Sequence, residues 1–306
     1  FETVNTKNYI TFHSHEHDRK YNSPNGEFDE YKSNSNVVRG EHTKIINNKL
    51  SYGLGFEKKY DEAIFSNRGS YNSSLTGDYA NTGFFANVGL NLLYNLSTSF
   101  HIRSDKNNVT GANNSYKLGL IKKNLIPNLQ ARFNYSTGFK NPSLYELYGA
   151  DNYGYAGNND LTAEKSATSE ISFDYSFNKN SIFTFTLFEN EINNLIQYSN
   201  PTYINNKTDA IKQSGFEFEY ELKYNKNQLR FFSSNLSSEK TNGAAQLRRP
   251  EWSGGLNFAR NLSKGYNIAA NYNFIGKHFD IHNSNYSTII MPEVHLLDLN
   301  ITKNYF

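Results

Sequence analysis

The 306-residue sequence contains no cysteine, one methionine, one tryptophan and six prolines. Without cysteine there is no disulfide framework and no thiolate chemistry, although that absence does not place the compartment. No apolar run approaches the roughly 18 residues that a membrane-spanning helix needs, and no helical period of useful length appears. Bulk charge is missing too. The formal net charge is +2 and basic runs are short, so nucleic acid is not an expected partner. Nor does the sequence show a start methionine or a secretory signal. No phosphate loop, nucleophile elbow, zinc spacing or paired-carboxylate context points to an enzyme.

Aromatics are plentiful, with 23 tyrosines and 23 phenylalanines, and asparagine is abundant. That many aromatics on a nearly neutral chain argue against disorder. The mean hydropathy of −0.71 suits a soluble globular protein. It equally suits a membrane β-barrel, in which only alternate residues meet lipid. The Asn-x-Ser/Thr triplets at Asn72, Asn95, Asn235 and Asn300 follow from the asparagine content. Several fall inside expected strands and read poorly as glycosylation sites.

Alternation decides the class. Phe183, Phe185 and Leu187 interleave with Thr184 and Thr186, and Phe216, Phe218 and Tyr220 with Glu217, Glu219 and Glu221. Such period-2 runs predict about fourteen strands. The first half reads as Tyr9–His17, Val37–Ile46, Leu50–Tyr60, Tyr79–Leu93, Leu96–Ser104, Asn114–Lys122 and Leu129–Phe139. The second reads as Ala167–Phe177, Ile182–Tyr198, Ala210–Tyr224, Gln228–Ser238, Glu251–Asn261, Tyr266–Ile275 and His295–Tyr305. Tight, Asn-rich turns alternate with long connections expected at 18–36, 61–78, 140–166, 199–209, 239–248 and 276–294; only Asp105–Asn113 is shorter. An all-β antiparallel meander with every long loop at one end is the pattern of a transmembrane β-barrel. A soluble sandwich or a solenoid is the alternative.

The connection after Phe139 carries the most information. It reads FKNPSLYELYG, then ADNYGYAGNN, then DLTAEKS, and loops this long tend to be functional. The pattern F-K-x-P-x-L-x-E-L-Y-G followed by N-x-x-L-x-x-E-x-S resembles the barrel domain of TonB-dependent outer-membrane receptors, and among them most resembles the vitamin B12 (cobalamin) receptors. Phe188–Ile192, Ser214–Glu217, Leu247–Pro250 and Leu297–Leu299 fall in the order such receptors show.

The resemblance implies a barrel of 22 strands around a plug, in the outer membrane of a Gram-negative bacterium. On that basis residues 1–306 are expected to be the central and C-terminal part of the barrel, with the plug, about six strands before it and about two after it lying outside the sequence. Phe306, out of phase with Leu297, Leu299 and Ile301, fits that expectation. The implied function is capture of a bulky, scarce ligand, cobalamin or a ferric siderophore, for uptake driven by the TonB complex through the N-terminal region. No cofactor is required. A haem receptor of the same fold and a passive porin are the other readings. Membrane lipid and lipopolysaccharide are implied partners, the latter at Arg248-Arg249.

Candidate ligand-binding residues are Tyr145, Tyr148, Tyr153 and Tyr155, with Asn152 and Asn158. Tyrosine rings give broad contact at low entropic cost, and side-chain amides answer peripheral amides of a ligand. Asn141-Pro142, Leu144 and Leu147 read as the loop's base, and Glu164 as a seat for the next strand. Clustered carboxylates around Pro24-Asn25-Gly26 suit calcium; the resemblance points to Asp29, and Asp18 lies nearby. A solvated acidic loop is the plainer reading. His13, His15 and His17 share one face at period 2 and with Asp18 suit a transition metal, or are ordinary polar wall residues. The Glu217/Glu219/Glu221 stripe must face the lumen, because acidic charge against lipid is costly.

Overall fold

A computed structural model describes the chain except positions 1, 4, 25, 70, 71, 207, 242, 244, 245, 305 and 306. The first strands are β1 (Glu2–Thr3), β2 (Thr6–Asn22), β3 (Phe28–Ile45), β4 (Leu50–Arg68), β5 (Ser73–Asn91), β6 (Leu96–Asn107), β7 (Gly111–Lys122) and β8 (Leu129–Lys140). A short helix α1 (Leu144–Tyr148) and β9 (Ala150–Asp151) follow. Next come β10 (Glu164–Asn178), β11 (Ser181–Asn193), β12 (Leu195–Ser199), β13 (Thr202–Asn206), β14 (Ile211–Tyr224) and β15 (Asn227–Lys240). The chain finishes with β16 (Trp252–Asn261), β17 (Tyr266–Ile275), β18 (His278–Ile281), β19 (Thr288–Met291) and β20 (Val294–Lys303).

Every long strand pairs antiparallel with its sequence neighbours in one 16-stranded sheet. Its order runs from β1 to β8, then β10, β11, β14 to β17 and β20, with β9 pairing to β5 off that path. β12–β13 and β18–β19 are separate two-stranded hairpins. β1 and β9 are two residues each, so the wall consists of the other strands, each matching an expected one. The expected meander is what is seen, and no Greek-key crossover occurs among the described residues. The outer edges of β2 beyond Lys7 and of β20 have no partner strand among the described residues.

Register separates the two faces. One row runs Tyr175, Phe183, Tyr220, Phe231, Leu256, Tyr272 and Leu297 across seven strands. A parallel row joins Phe173, Phe185 and Phe218, and a third Ile171, Leu187 and Phe216. The apolar residues of these alternating runs therefore share one face. On the other side Asp174, Thr184 and Glu219 align. There Arg132 Nη2 lies 2.9 Å from Asp174, and Arg230 Nη2 lies 2.6 Å from Glu219.

Nothing among the described residues covers the apolar face. Leu297, Leu299 and Ile301 are about 70% exposed, as is Phe12, and continuous apolar surface of this extent is not tolerated in water. The few buried apolar residues are mostly in the outer connections: Leu147, Tyr155, Leu161, Ala163, Leu195 and Ala210. Stability thus comes from a hydrogen-bonded ladder whose apolar side is completed by lipid, the arrangement a spanning sheet requires. No helix among the described residues is long and apolar enough to cross a membrane.

Two expected long loops are instead strand. Residues 18–22 and 28–36 extend β2 and β3, and 61–68 and 73–78 extend β4 and β5. These outer ends are rich in polar residues on both faces, although Ala63, Ser73 and Leu75 are buried, so the regular apolar alternation that signals a strand is broken there. The phase test at the C-terminus falls on Tyr305 and Phe306, outside the described residues.

Candidate functional site

The connection between β8 and β10 is built from its base upward. Asn141 Oδ1 accepts from Thr110 Oγ1 at 3.0 Å, and Pro142 is fully buried. Ser143 caps α1: its Oγ accepts from the Glu146 amide at 3.2 Å, while Glu146 Oε2 accepts from the Ser143 amide at 2.6 Å. This reciprocal box satisfies helix-start donors that would otherwise be orphaned, and it makes a five-residue helix out of what reads as loop. Leu147 and Leu161, each 1% exposed, form with Ala163 a small core.

The loop is clamped from two sides. On one, β9 pairs with Ser73 and Ser74 at the outer end of β5. The Asn72 and Asn152 backbones bond at 2.9 Å, and Asn152 Oδ1 accepts from the Asn72 amide at 3.1 Å. The Tyr148 ring lies against Gly77, where a Cβ would sit 2.1 Å from the ring. On the other side stands the β12–β13 hairpin. Asn205 reads the Thr162 backbone with both ends of its amide, accepting from its N–H at 2.7 Å and donating to its carbonyl at 2.9 Å. Asn158 Nδ2 donates to the Tyr203 carbonyl at 2.8 Å. Glu164 Oε1 accepts from the Ile196 amide at 2.9 Å, and Glu164 Oε2 lies 3.2 Å from Lys140 Nζ. The expected role of Glu164 as a seat for its strand has this geometry.

Four tyrosines meet at the junction. Tyr155 stacks on Tyr145 with centroids 5.0 Å apart, meets Tyr203 edge-on at 5.8 Å and approaches Tyr198 at 6.2 Å. Its hydroxyl donates to the Tyr145 carbonyl at 2.7 Å. Burial pushes that hydroxyl far above the ordinary phenol range, so it stays a donor. Tyr155 is 6% exposed, whereas Tyr153 is 69% and Tyr198 55% exposed.

The structure therefore divides the six candidates. Tyr155 and Tyr145 stack at the heart of the loop, Tyr148 anchors it to β5, and Asn152 and Asn158 spend amide contacts on backbone. Tyr153 is the one whose ring stands mostly in solvent. Tyr198 and Tyr203 were not singled out in the sequence, because Tyr198 reads as the end of the strand Ile182–Tyr198 and Tyr203 falls in the connection at 199–209. The available signal was Asn194, whose φ of 58° breaks that strand, followed by Asn200-Pro201. Tyr153→Ala is expected to weaken ligand capture by roughly tenfold, as loss of one aromatic contact does, with unchanged barrel assembly by gel mobility. Tyr155→Ala should instead loosen the loop and raise its protease sensitivity.

The two calcium candidates do not converge. Asp18 aligns with Lys32 and Asp29 with Tyr21, which puts them on opposite faces of the β2–β3 ribbon. Asp29 accepts from Asn67 Nδ2. One ion cannot take both. Asp18 is likewise on the face opposite His13, His15 and His17, which align with Val37, Ser35 and Ser33. No group of three or more His, Cys, Asp or Glu positioned for a metal occurs among the described residues. Arg248 enters β16 through a turn, with its Nε 2.9 Å from Asp280 of the next outer loop.

Residues 2–305 match the family model "TonB dependent receptor-like, beta-barrel". The chain belongs to that family. Its members are transport barrels of the Gram-negative outer membrane rather than enzymes. Over 234 residues the chain is 26% identical to the vitamin B12 transporter BtuB of Vibrio cholerae, covering 74% of this chain and 36% of that protein. The chain thus spans about a third of the length of the curated relatives it matches. Among solved structures it superposes on the ferric enterobactin receptor PfeA of Pseudomonas aeruginosa with a TM-score of 0.79 at 15% identity, covering 99% of this chain and 52% of that one. The siderophore receptor PirA of Acinetobacter baumannii gives 0.73 at 12% identity, with 99% and 57% covered. The fold is shared with both.

Proposed function

We propose that the chain is the ligand-capturing wall of an active-transport receptor that takes up a bulky, scarce nutrient, with cobalamin as its ligand. The observation carrying this reading is the 234-residue similarity to vitamin B12 transporters, which includes the clamped loop at 141–163. Tyr153 and Tyr198 supply exposed ring faces beside that loop, and such faces suit a large, polar, broad-sided molecule. In this reading the outer loops bind and a plug supplied by the rest of the protein responds to the TonB complex, drawing on the proton-motive force.

A ferric siderophore is the second reading, favoured by the superposition on the ferric enterobactin receptor. It differs in loop chemistry rather than in fold, and fold alone does not select a ligand. A passive porin has no support from the family match. The test is equilibrium binding of cyanocobalamin and of ferric siderophores to the full-length receptor. Saturable submicromolar binding of cyanocobalamin alone is the expected result. Binding of a siderophore and not of cyanocobalamin would transfer the assignment.

A further inference from the structure

The short turns at the inner end of the sheet share a feature that their geometry does not require. They join β3–β4, β5–β6, β7–β8, β10–β11, β14–β15 and β16–β17, at 46–49, 92–95, 123–128, 179–180, 225–226 and 262–265. Five of these six carry a lysine: Lys49, Lys123, Lys179, Lys226 and Lys264. The turn at 92–95 has none of its own, and there Lys122 of the neighbouring β7 donates from Nζ to the Tyr94 carbonyl. None of the six turns contains Asp or Glu. The outer connections mix both signs, as Asp160 and Glu251 with Arg249 and Lys277 show. All five turn lysines are exposed, and none has an ion-pair partner among the described residues.

Tight turns select asparagine and glycine, which take the left-handed conformation readily. Asn95, Asn124, Asn128 and Asn225 meet that need here, with φ between 51° and 66°. Lysine serves no such purpose, and Lys264 holds φ 61° in spite of its Cβ. Neighbouring turns are two strand spacings apart, so the lysines form a line of cations about 10 Å apart and about 50 Å long. The line lies past Tyr224 and Tyr266, which close the apolar stripes of β14 and β17 at the level of an aromatic girdle. A line of separated cations does not converge on one small anion. It suits an extended polymer that repeats its carboxylates. Short turns of an outer-membrane barrel face the periplasm, where the cell-wall glycan with its acidic peptide stems has that chemistry. We propose that the turn lysines seat the inner rim of the sheet on this wall, pairing their ammonium groups with stem-peptide carboxylates. A single exposed pair is weak, but several along one line act together through multivalency. This seating depends on the turn end being periplasmic and is independent of which nutrient the receptor carries.

The test places the full-length receptor in phosphatidylcholine nanodiscs and sediments it with isolated cell-wall sacculi cleared of protein by detergent and protease. The parent is expected to pellet with the sacculi, less so as salt rises. Lys49→Gln/Lys123→Gln/Lys179→Gln/Lys226→Gln/Lys264→Gln should bind roughly tenfold more weakly, at unchanged heat-modifiable mobility. Lys106→Gln/Lys165→Gln/Lys212→Gln/Lys277→Gln/Arg249→Gln, which removes as much charge from the outer end, should bind like the parent. Sacculi whose carboxylates have been amidated should not hold the parent, a comparison that stands even if the turn variant fails to fold. Equal pelleting of the folded turn variant and the parent overturns the seating, as does equal pelleting with intact and amidated sacculi. If only sacculi that keep their protein retain the receptor, the partner is an acidic protein and the assignment to the wall falls. Capture by phosphatidylglycerol vesicles through the same lysines, with none by sacculi, likewise overturns it in favour of the inner leaflet.

Discussion

Leu147→Asp is expected to remove most of the folded receptor recovered from the membrane and to leave the remainder open to proteolysis at 141–163. Leu147 is 1% exposed and packs where Leu161, Ala163 and Pro142 are also buried. Truncating a buried leucine to alanine costs about 2–5 kcal/mol, and an unpaired carboxylate at the same place adds a desolvation penalty. The loss propagates, because the loop's base joins β8 to β10 and its flanks clamp β5 and the β12–β13 hairpin. Heat-modifiable gel mobility measures the folded fraction, with Tyr153→Asp as the comparison at an exposed position of the same loop. Equal folded yields for the two variants would show that α1 is an ornament of the loop rather than its foundation.

The second large effect lies in the sheet. Phe218 occupies the middle of β14's apolar stripe, between Phe185 and Ser233, while Glu219 beside it pairs with Arg230 on the polar face. A lysine at Phe218 should cost about 2–4 kcal/mol, the penalty for a cation near the bilayer midplane. Glu219→Gln removes a half-exposed ion pair and should cost under about 1 kcal/mol. Urea titration of the receptor in lipid vesicles distinguishes the two. If both substitutions cost the same, the assignment of faces is wrong by one residue, because a one-residue slip exchanges the faces completely.

The sheet was legible wherever one face meets lipid and the other water. There the alternation at Phe183–Leu187 and Phe216–Tyr220 is forced by two unlike solvents, and strands and facing follow from it. Past the lipid boundary the constraint disappears. Ser33, Asn34, Ser35 and Asn36 are strand because β2 and β4 hydrogen-bond them on both sides, a fact that no side-chain pattern records. The loop was legible in its hardware: Pro142 and Leu147 are buried, and Glu164 bonds where expected. The roles of its tyrosines were not. A ring that grips a ligand and a ring that fills a loop core have the same composition signature, and only burial separates Tyr155 from Tyr153.

The outer ends of β2 to β5 have a consequence for how the cell exterior meets this protein. Strands of 17 to 19 residues there stand beside strands of 10 residues at β16, β17 and β20, and about 9–11 residues suffice to cross the hydrocarbon. One flank is therefore a tall ribbon in which β3 and β4 are paired on both sides along their outer ends, and doubly paired backbone offers little purchase to a protease or a binding loop. The other flank is low, and there Arg248, just before β16, is tied to Asp280 of the β18–β19 hairpin. Antibodies, phages and competing bacteriocins that dock on this surface would find their footholds on the low flank, so sequence change under such pressure should collect there while the tall ribbon stays quiet.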